Sequence, residues 1–336
     1  MNTDIKKPIV ATILAGGSGT RLWPLSTKNR PKQLLSIDNN QTLLENTIHR
    51  AQHITEKWHI VTAKAQQSFF SRYAKNLITE PASKNTAAAL LLSALKWNEQ
   101  YPDAIVCSFP ADHTIKDNAL WHQSILNAVD YVQLHNVPVL LGIKPHYPAS
   151  WYGYILHDNI RDNAFKINKF VEKPSSLLAA EFLQQGNVFW NSGILITPIS
   201  TLIDAFKNMH PQLYSVVSQY VYDNNESSYT ALSSLSLDHA LLENGYCSTV
   251  LELQGEWSDV GNFETFHAAQ KIQTSTILLN AEGNTVISSK PTVLVDVHDL
   301  HIIETDTVLL IMQKKGTHSM PDIIEKIRSY GLEHLL

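Results

Sequence analysis

Residues 13–35 read ILAGGSGTRLWPLSTKNRPKQLL, and the fold turns on how this stretch is understood. The apolar run Ile9–Leu14 stops at Ala15-Gly16-Gly17-Ser18-Gly19-Thr20-Arg21, the pattern of a strand that empties into a glycine loop. Three glycines in four residues take away the Cβ atoms that would hold a ligand off the backbone, and they permit positive φ. Successive bare N–H groups can then converge on an anion. Arg21 and Lys32 follow as sources of fixed positive charge. The loop is therefore expected to hold the phosphates of a nucleoside triphosphate. Read locally it is equally a plain tight turn, and that alternative stays open at this point.

Two well-defined phosphate loops are excluded. A Walker A loop begun at Gly16 needs Gly-Lys where Arg21 and Leu22 stand, and a dinucleotide fingerprint begun at Gly17 lacks its third glycine at Leu22. The missing glycine also argues against a Rossmann oxidoreductase.

The chain has 336 residues, enough for one large or two modest domains with ample core. At 44% hydrophobic and 17% charged, its composition is ordinary for a globular protein. A net charge of -5 gives no reason to expect a nucleic-acid polymer or an anionic membrane as partner. Small anionic ligands need only local positive charge and stay in play. Cys107 and Cys247 lie in apolar, strand-like runs and read as core thiols rather than a disulfide. With no signal-peptide cleavage pattern and no long apolar span, a cytoplasmic location is expected.

Leu43, Leu44, Thr47, Ile48 and Ala51 recur at helical spacing, predicting a helix over 41–53. Strands are expected at 58–63, 104–109 and 137–143, and a helix over 119–134. The polar break at 80–86 precedes the helix former AAALLLSALKW, with Asn85 or Thr86 as its cap. This alternation predicts βαβ units: an α/β fold with a mostly parallel sheet flanked by helices. Ligands in such sheets collect beyond the carboxyl ends of strands, where the glycine loop and Pro110–His113 both fall. Further helices are expected at 177–185, 199–206 and 236–243, the last capped by Ser236, with a strand at 246–253. Short β-type runs near Ile277, Val286, Val293, Ile302 and Val308 suggest a small β-rich, β-helix-like appendage closed by a helix over 321–330. A boundary near residue 273 divides a catalytic domain, 1–273, from this appendage, 274–336. The appendage carries no identifiable chemistry, so packing or a homodimer contact is its expected role.

Nine islands, LAGGSGTRLWPLS, RPKQLL, EPASKNTAAA, FPADH, WYGYI, FVEKP, WNSGI, SLDHALLE and WSDVGNFETF, stand in order from about Ile9 onward. Together they resemble the mannose-1-phosphate guanylyltransferases, within the sugar nucleotidyltransferases. The chain looks like the short form of that family, without the phosphomannose isomerase-type domain of long members. The resemblance implies a Rossmann-like, nucleotide-diphospho-sugar transferase fold. It implies transfer of GMP from GTP to mannose 1-phosphate, giving GDP-mannose and pyrophosphate, with Mg²⁺ as cofactor.

The same resemblance implies roles by position. Leu14, Ala15, Gly16, Gly17, Gly19 and Thr20 would offer backbone to the nucleotide, Arg21 a guanidinium fork to phosphate oxygens, and Lys32 a point charge. Asp112 and Asp259 would hold the metal, although Asp112 alone also reads as a turn or helix cap. Glu172 would hold sugar hydroxyls and Lys173 the sugar phosphate, and Gly153 and Asn191 would line the sugar pocket. Glu172 and Lys173 also read as a solvated pair before a proline. Lys84 stands where an arginine is usual and Ala88 where a proline is usual, so Asn85 and Thr86 carry the nucleotide segment more securely than Lys84. Base and sugar choice stay open. A catalytically silent nucleotide-sugar-binding paralogue is disfavoured, because Arg21, Lys32, Asp112, Lys173 and Asp259 are all present.

Overall fold

The strand expected to empty into the glycine loop, Ile9–Leu14 (β1), lies inside a nine-stranded sheet. The computed structural model describes residues 6–17, 19–37, 41–159, 164–270, 275–316 and 318–336. The chain divides into two compact units, each assembled from separated stretches of sequence. The boundary expected near 273 lies outside the described residues.

The first unit comprises Met1–Gly16, Thr47–Ala111 and Ile115–Trp257. Its strands, after β1, are Trp58–Ala63 (β2), Leu77–Glu80 (β3), Ile105–Pro110 (β4), Val139–Ile143 (β5), Tyr154–Asn159 (β6), Ala164–Val171 (β7), Val188–Pro198 (β8) and Thr249–Glu252 (β9). In space they run β3-β2-β1-β4-β8-β5-β9-β7-β6. β1, β2, β3 and β4 pair in parallel, as do β5 and β9, while β7 and β8 run against the rest. The expected mostly parallel sheet thus holds in strand direction, and the two reversed strands make it mixed. β1, β2 and β4 are buried almost throughout, as parallel strands covered on both faces must be.

The helix Asn85–Asn98 (α2) is apolar nearly all round and correspondingly buried from Ala87 to Leu95. It packs on Ile199–Met209 (α5) and Pro211–Asp223 (α6). Of the expected cap residues, Asn85 accepts through Oδ1 from the Thr86 N–H at 2.8 Å, while the residue preceding the helix, Lys84, makes no side-chain cap bond. The Ala87 N–H donates to the Leu235 carbonyl at 3.2 Å, and the Thr86 hydroxyl accepts from the Leu237 N–H at 2.8 Å. A distant backbone carbonyl thus completes what the local side chain begins. Asn118–His135 (α3) follows the cap rules: Asp117 accepts from the Ala119 and Leu120 N–H groups, and Asn136 ends the helix at φ 54°. Ser175 and Gly186 bracket Ser176–Gln185 (α4) in the same manner. The helix expected over 236–243 is a single π-type turn, Asp238–Leu242, with Ser236 Oγ accepting from the His239 N–H. The sequence reading passes over α6, although Pro211 opens it and Asn224 at φ 55° closes it. Cys107 and Cys247 are buried free thiols, as expected of core cysteines.

The second unit comprises Gly17–Asn46, Asp112–Thr114 and Ser258–Leu336. The helix expected over 41–53 is Leu43–Gln52 (α1), opened by a capping box in which Thr42 and Glu45 exchange hydrogen bonds. Asn262 and Thr265 open Phe263–Ala269 (α7) the same way, and Ser319 and Asp322 open Met320–Ser329 (α8). The expected β-runs are Thr276–Leu279 (β10), Thr285–Ile287 (β11), Thr292–Val295 (β12), Leu300–Glu304 (β13) and Leu309–Gln313 (β14). β10 pairs with β12 and β11 with β13, both parallel and both offset by 16 residues, Thr276 to Thr292 and Thr285 to His301. Asn280 donates to Asp296 across the same offset at 2.6 Å. A constant offset between parallel strands is the repeat of a β-helical coil, which β14 closes by pairing antiparallel to β13. Leu22, Leu25, Leu35 and Leu43 share one core with Val260, Phe263, Phe266, Ile287 and Ile303. The coil therefore packs on the stretch that follows the glycine loop.

Candidate functional site

The glycines of the loop differ in what surrounds them. A Cβ on Gly16 would lie 3.1 Å from Glu80 Oε1. Glu80 is 1% exposed and accepts from the Tyr229 hydroxyl at 2.8 Å and from the Lys84 backbone N–H. Burial pushes its carboxyl up to about 7. Ser83 Oγ donates to the Gly16 carbonyl at 3.3 Å, so the segment bearing Lys84, Asn85 and Thr86 is fastened to the loop's first glycine. Leu14 and Ala15 hold the strand end, with the Ala15 N–H donating to Val61 O and Leu14 O accepting from the Ala111 N–H.

In the second unit, a Cβ placed on Gly17 would meet nothing within 4 Å apart from its chain neighbours, so packing makes no demand for a glycine there. Gly19 is different. It sits at φ 68°, and a Cβ there would meet Lys32 Cβ at 2.5 Å. The close approach that demands this glycine is made by the protein's own lysine. Ser18 lies outside the described residues. Thr20 and Arg21 occupy a three-residue turn, Thr20–Leu22, with Arg21 exposed.

Lys32 links both expected metal ligands. Its Nζ donates to Asp112 Oδ2 at 2.5 Å and to the Asp259 carbonyl at 2.6 Å, while the residue as a whole is 9% exposed. Burial raises the Asp112 carboxyl, but the Lys32 ammonium, with His113, more than offsets this and holds it below its ordinary value. Asp259 Oδ1 accepts from the Gly261 N–H at 3.0 Å, and a Cβ on Gly261 would lie 2.6 Å from Oδ2. Gly261 thus leaves room for the carboxylate to fold back over the turn. Among the described residues no three His, Cys, Asp or Glu side chains gather as a metal cage. The donor set here is two hard carboxylates, which fits a cation that completes its shell with phosphate oxygens and water, as magnesium does.

The four residues expected at the sugar end also converge, within the first unit. A Cβ on Gly153 would lie 2.7 Å from Glu172 Oε2 and 3.4 Å from Asn191 Cβ. Gly153 O accepts from the Asn191 N–H at 2.8 Å. Lys173 Nζ donates to Glu172 Oε1 at 2.5 Å and holds φ at 44°, uncommon for a residue with a Cβ. Asn191 Oδ1 accepts from the Gly193 N–H at 3.0 Å, and its Nδ2 donates to Asp238 Oδ1 at 2.9 Å. Burial and then the Glu172 carboxylate push Asp238 up to about 6, against the pull of Lys173 and His239.

Asp238 and Glu80 each bond to an expected site residue, Asn191 and Lys84, and sequence reasoning singled out neither. Asp238 lay inside SLDHALLE, where it read as part of a helix start. Glu80 ended an unrecognised strand, and its only signal was an acid directly before Pro81.

Residues 10–276 match the family model for nucleotidyl transferases, and the chain belongs to that family. A putative mannose-1-phosphate guanylyltransferase of Vibrio cholerae is 29% identical over 347 residues, covering 95% of this chain and 74% of that protein. The mannose-1-phosphate guanylyltransferase of Salmonella montevideo is 29% identical over 352 residues, covering 95% and 74%. The solved structure of a mannose-1-phosphate geranyltransferase from Thermus thermophilus superposes with a TM-score of 0.85 at 24% identity, covering 95% of this chain and 99% of that one. At that identity the likeness shows the fold, which is the nucleotide-diphospho-sugar transferase fold. Among the described residues no helix is long and apolar enough to cross a membrane.

Proposed function

We propose that this chain transfers GMP from GTP to α-D-mannose 1-phosphate, releasing pyrophosphate and GDP-mannose. The observation that carries the reading is the Lys32 ammonium joined to both Asp112 and Asp259, in a chain whose relatives are named for this reaction. A phosphate oxygen of the sugar phosphate forms a bond to the α-phosphorus, and the bond from that phosphorus to the α–β bridging oxygen breaks. The electron pair leaves with pyrophosphate, so neither a covalent enzyme intermediate nor a protein base is required. Both reactants are anions, and the protein's task is alignment and charge neutralisation.

Arg21 and the backbone of Leu14–Gly17, Gly19 and Thr20 serve the triphosphate, and Lys84, Asn85 and Thr86 the nucleoside. Gly153, Glu172 and Asn191 serve sugar hydroxyls, and Lys173 the sugar phosphate. Asp112 and Asp259 would hold Mg²⁺, which when bound neutralises phosphate charge. Lys32 keeps Asp112 ionised and ready for a cation. Residues 1–273 are then catalytic, and 274–336 form an appendage. The exposed run Ile277, Leu278 and Leu279, with Val293 and Val295, supports a homodimer through that appendage, which light scattering tests. A cytoplasmic location accompanies this reading.

The function is tested by pyrophosphate release with Mg²⁺, crossing GTP, ATP, UTP and dTTP with mannose, glucose and fucose 1-phosphates. Preference for GTP with mannose 1-phosphate supports the reading. Turnover with another pair keeps the chemistry and changes the substrates, and nucleotide binding without turnover of any pair marks a silent subunit.

A further inference from the structure

The C-terminal segment carries no group of the transfer chemistry, yet it packs on the stretch that does. Trp23, two residues beyond Arg21, is 5% exposed, and its Nε1–H donates to the Leu335 carbonyl at 2.7 Å across 312 residues of sequence. The Lys28 N–H donates to the Leu336 carbonyl at 3.4 Å, and α8 lies against the Thr20–Leu22 turn. Leu22, Leu25 and Leu35 are buried against α7 and the coil. Between Gly19 and Leu35 the regular structure amounts to two three-residue turns, Thr20–Leu22 and Lys32–Leu34. A segment with so little structure of its own takes its order from what it is packed on.

We propose that Trp23 is a positioning residue for nucleotide handling. With the Leu335 carbonyl it clasps the Gly19–Leu35 segment to the C-terminal coil, and so sets where Arg21 and Lys32 present their charge. This rests on the reading above that those two residues serve a triphosphate and its cation. The indole N–H points in one fixed direction, so a buried bond from it fixes ring and chain together, and leaving that N–H buried without an acceptor is costly. The coil then belongs to the triphosphate apparatus, and sugar-phosphate affinity should not depend on it.

Trp23→Phe keeps the ring and removes the donor. It should raise the KM for the triphosphate about fivefold, the equivalent of about 1 kcal/mol for one buried hydrogen bond, with the KM for the sugar phosphate changed less than about twofold. Deleting residues 331–336 removes the acceptor and should reproduce this effect. The two changes combined should exceed neither alone, the mark of one shared interaction. Amide hydrogen exchange over residues 19–35 should accelerate in Trp23→Phe with no substrate present. An unchanged triphosphate KM, an equal rise in both KM values, or additive effects would overturn the proposal. If the deletion does not fold, the KM split and exchange of Trp23→Phe decide. If the wild type turns over no substrate pair, the functional reading falls by itself. Exchange over 19–35 then decides the clasp, and unchanged protection sinks it.

Discussion

The Lys32 cluster and the Asn191 cluster both gather carboxylates, and they shift a buried acid in opposite directions. Burial penalises the charge of Asp112 and of Asp238 alike. What differs is the neighbour. Asp112 faces the Lys32 ammonium and is held ionised, whereas Asp238 faces Glu172 and is pushed to about 6. An ionised acid beside an ammonium suits cations and phosphates. A half-buried acid hydrogen-bonded to an amide suits neutral hydroxyls, where donor and acceptor geometry matter more than charge. The difference matches the two kinds of ligand assigned to the clusters.

The sharpest way to break this comparison is to neutralise the charged cluster. Asp259→Asn keeps the shape and the backbone carbonyl that Lys32 uses, and removes the negative charge. It should lower kcat by at least about a hundredfold, the scale of one electrostatic contact to the transition state. Near-normal turnover in steady-state assays would remove Asp259 from the metal site.

Lys32→Met should show next in stability. It leaves Asp112 without its partner, at a cost of about 1–3 kcal/mol, nearer the lower figure because the Asp112 side chain is 33% exposed. Folding holds Asp112 below its ordinary 3.8. The pair's contribution is thus present above that pH and is lost as acid titrates the folded carboxylate. Thermal melts should show the wild type and Lys32→Met converging as the pH falls through that range. A difference that is constant with pH would mean the ion pair is not the cause.

Much of this was readable from the chain because the signals are local. The strand runs at 58–63 and 104–109, the helices over 41–53 and 119–134, and the repeated β-runs of the coil each follow from a few neighbouring residues. What was hidden depends on residues far apart. The long-range acceptor for the first turn of α2 is the Leu235 carbonyl, the tightness at Gly19 comes from Lys32, and the orientation of Asn191 from Asp238. Asp238 sits on a π-type turn that no helical periodicity announces. Composition and spacing also could not show the coil packing on the stretch after the glycine loop, since Leu22 and Ile303 join one core only through the fold.

The Asn191 cluster offers a smaller test. Asp238→Asn keeps a hydrogen-bonding oxygen for Asn191 but removes the charge and its titration near 6. The sugar phosphate has its own ionisation near that pH, so the informative quantity is the ratio of variant to wild-type KM at each pH. That ratio should change several-fold between about pH 5 and 7 and level off above it, while the triphosphate KM ratio stays flat. A sugar-phosphate ratio that is flat throughout would mean that Asp238 does not act through its charge.

The smallest effect is expected at Lys84, where the family resemblance implies an arginine. Lys84 keeps the positive charge and loses the planar fork of arginine, which would matter if that fork gripped the nucleotide. The contacts that place Lys84 are made by its backbone: its N–H donates to Glu80, and its carbonyl accepts from the Leu235 N–H at 3.2 Å. Both survive any side-chain exchange. Ala88, where a proline is usual, is 2% exposed inside α2 and packs there as an ordinary helix residue. Lys84→Arg should therefore leave the KM for GTP within about twofold and the melting temperature unchanged. A tenfold fall in that KM, about 1.4 kcal/mol, would mean that the fork finds a phosphate or base contact which lysine cannot reach, and that the nucleoside end is recognised by side chains.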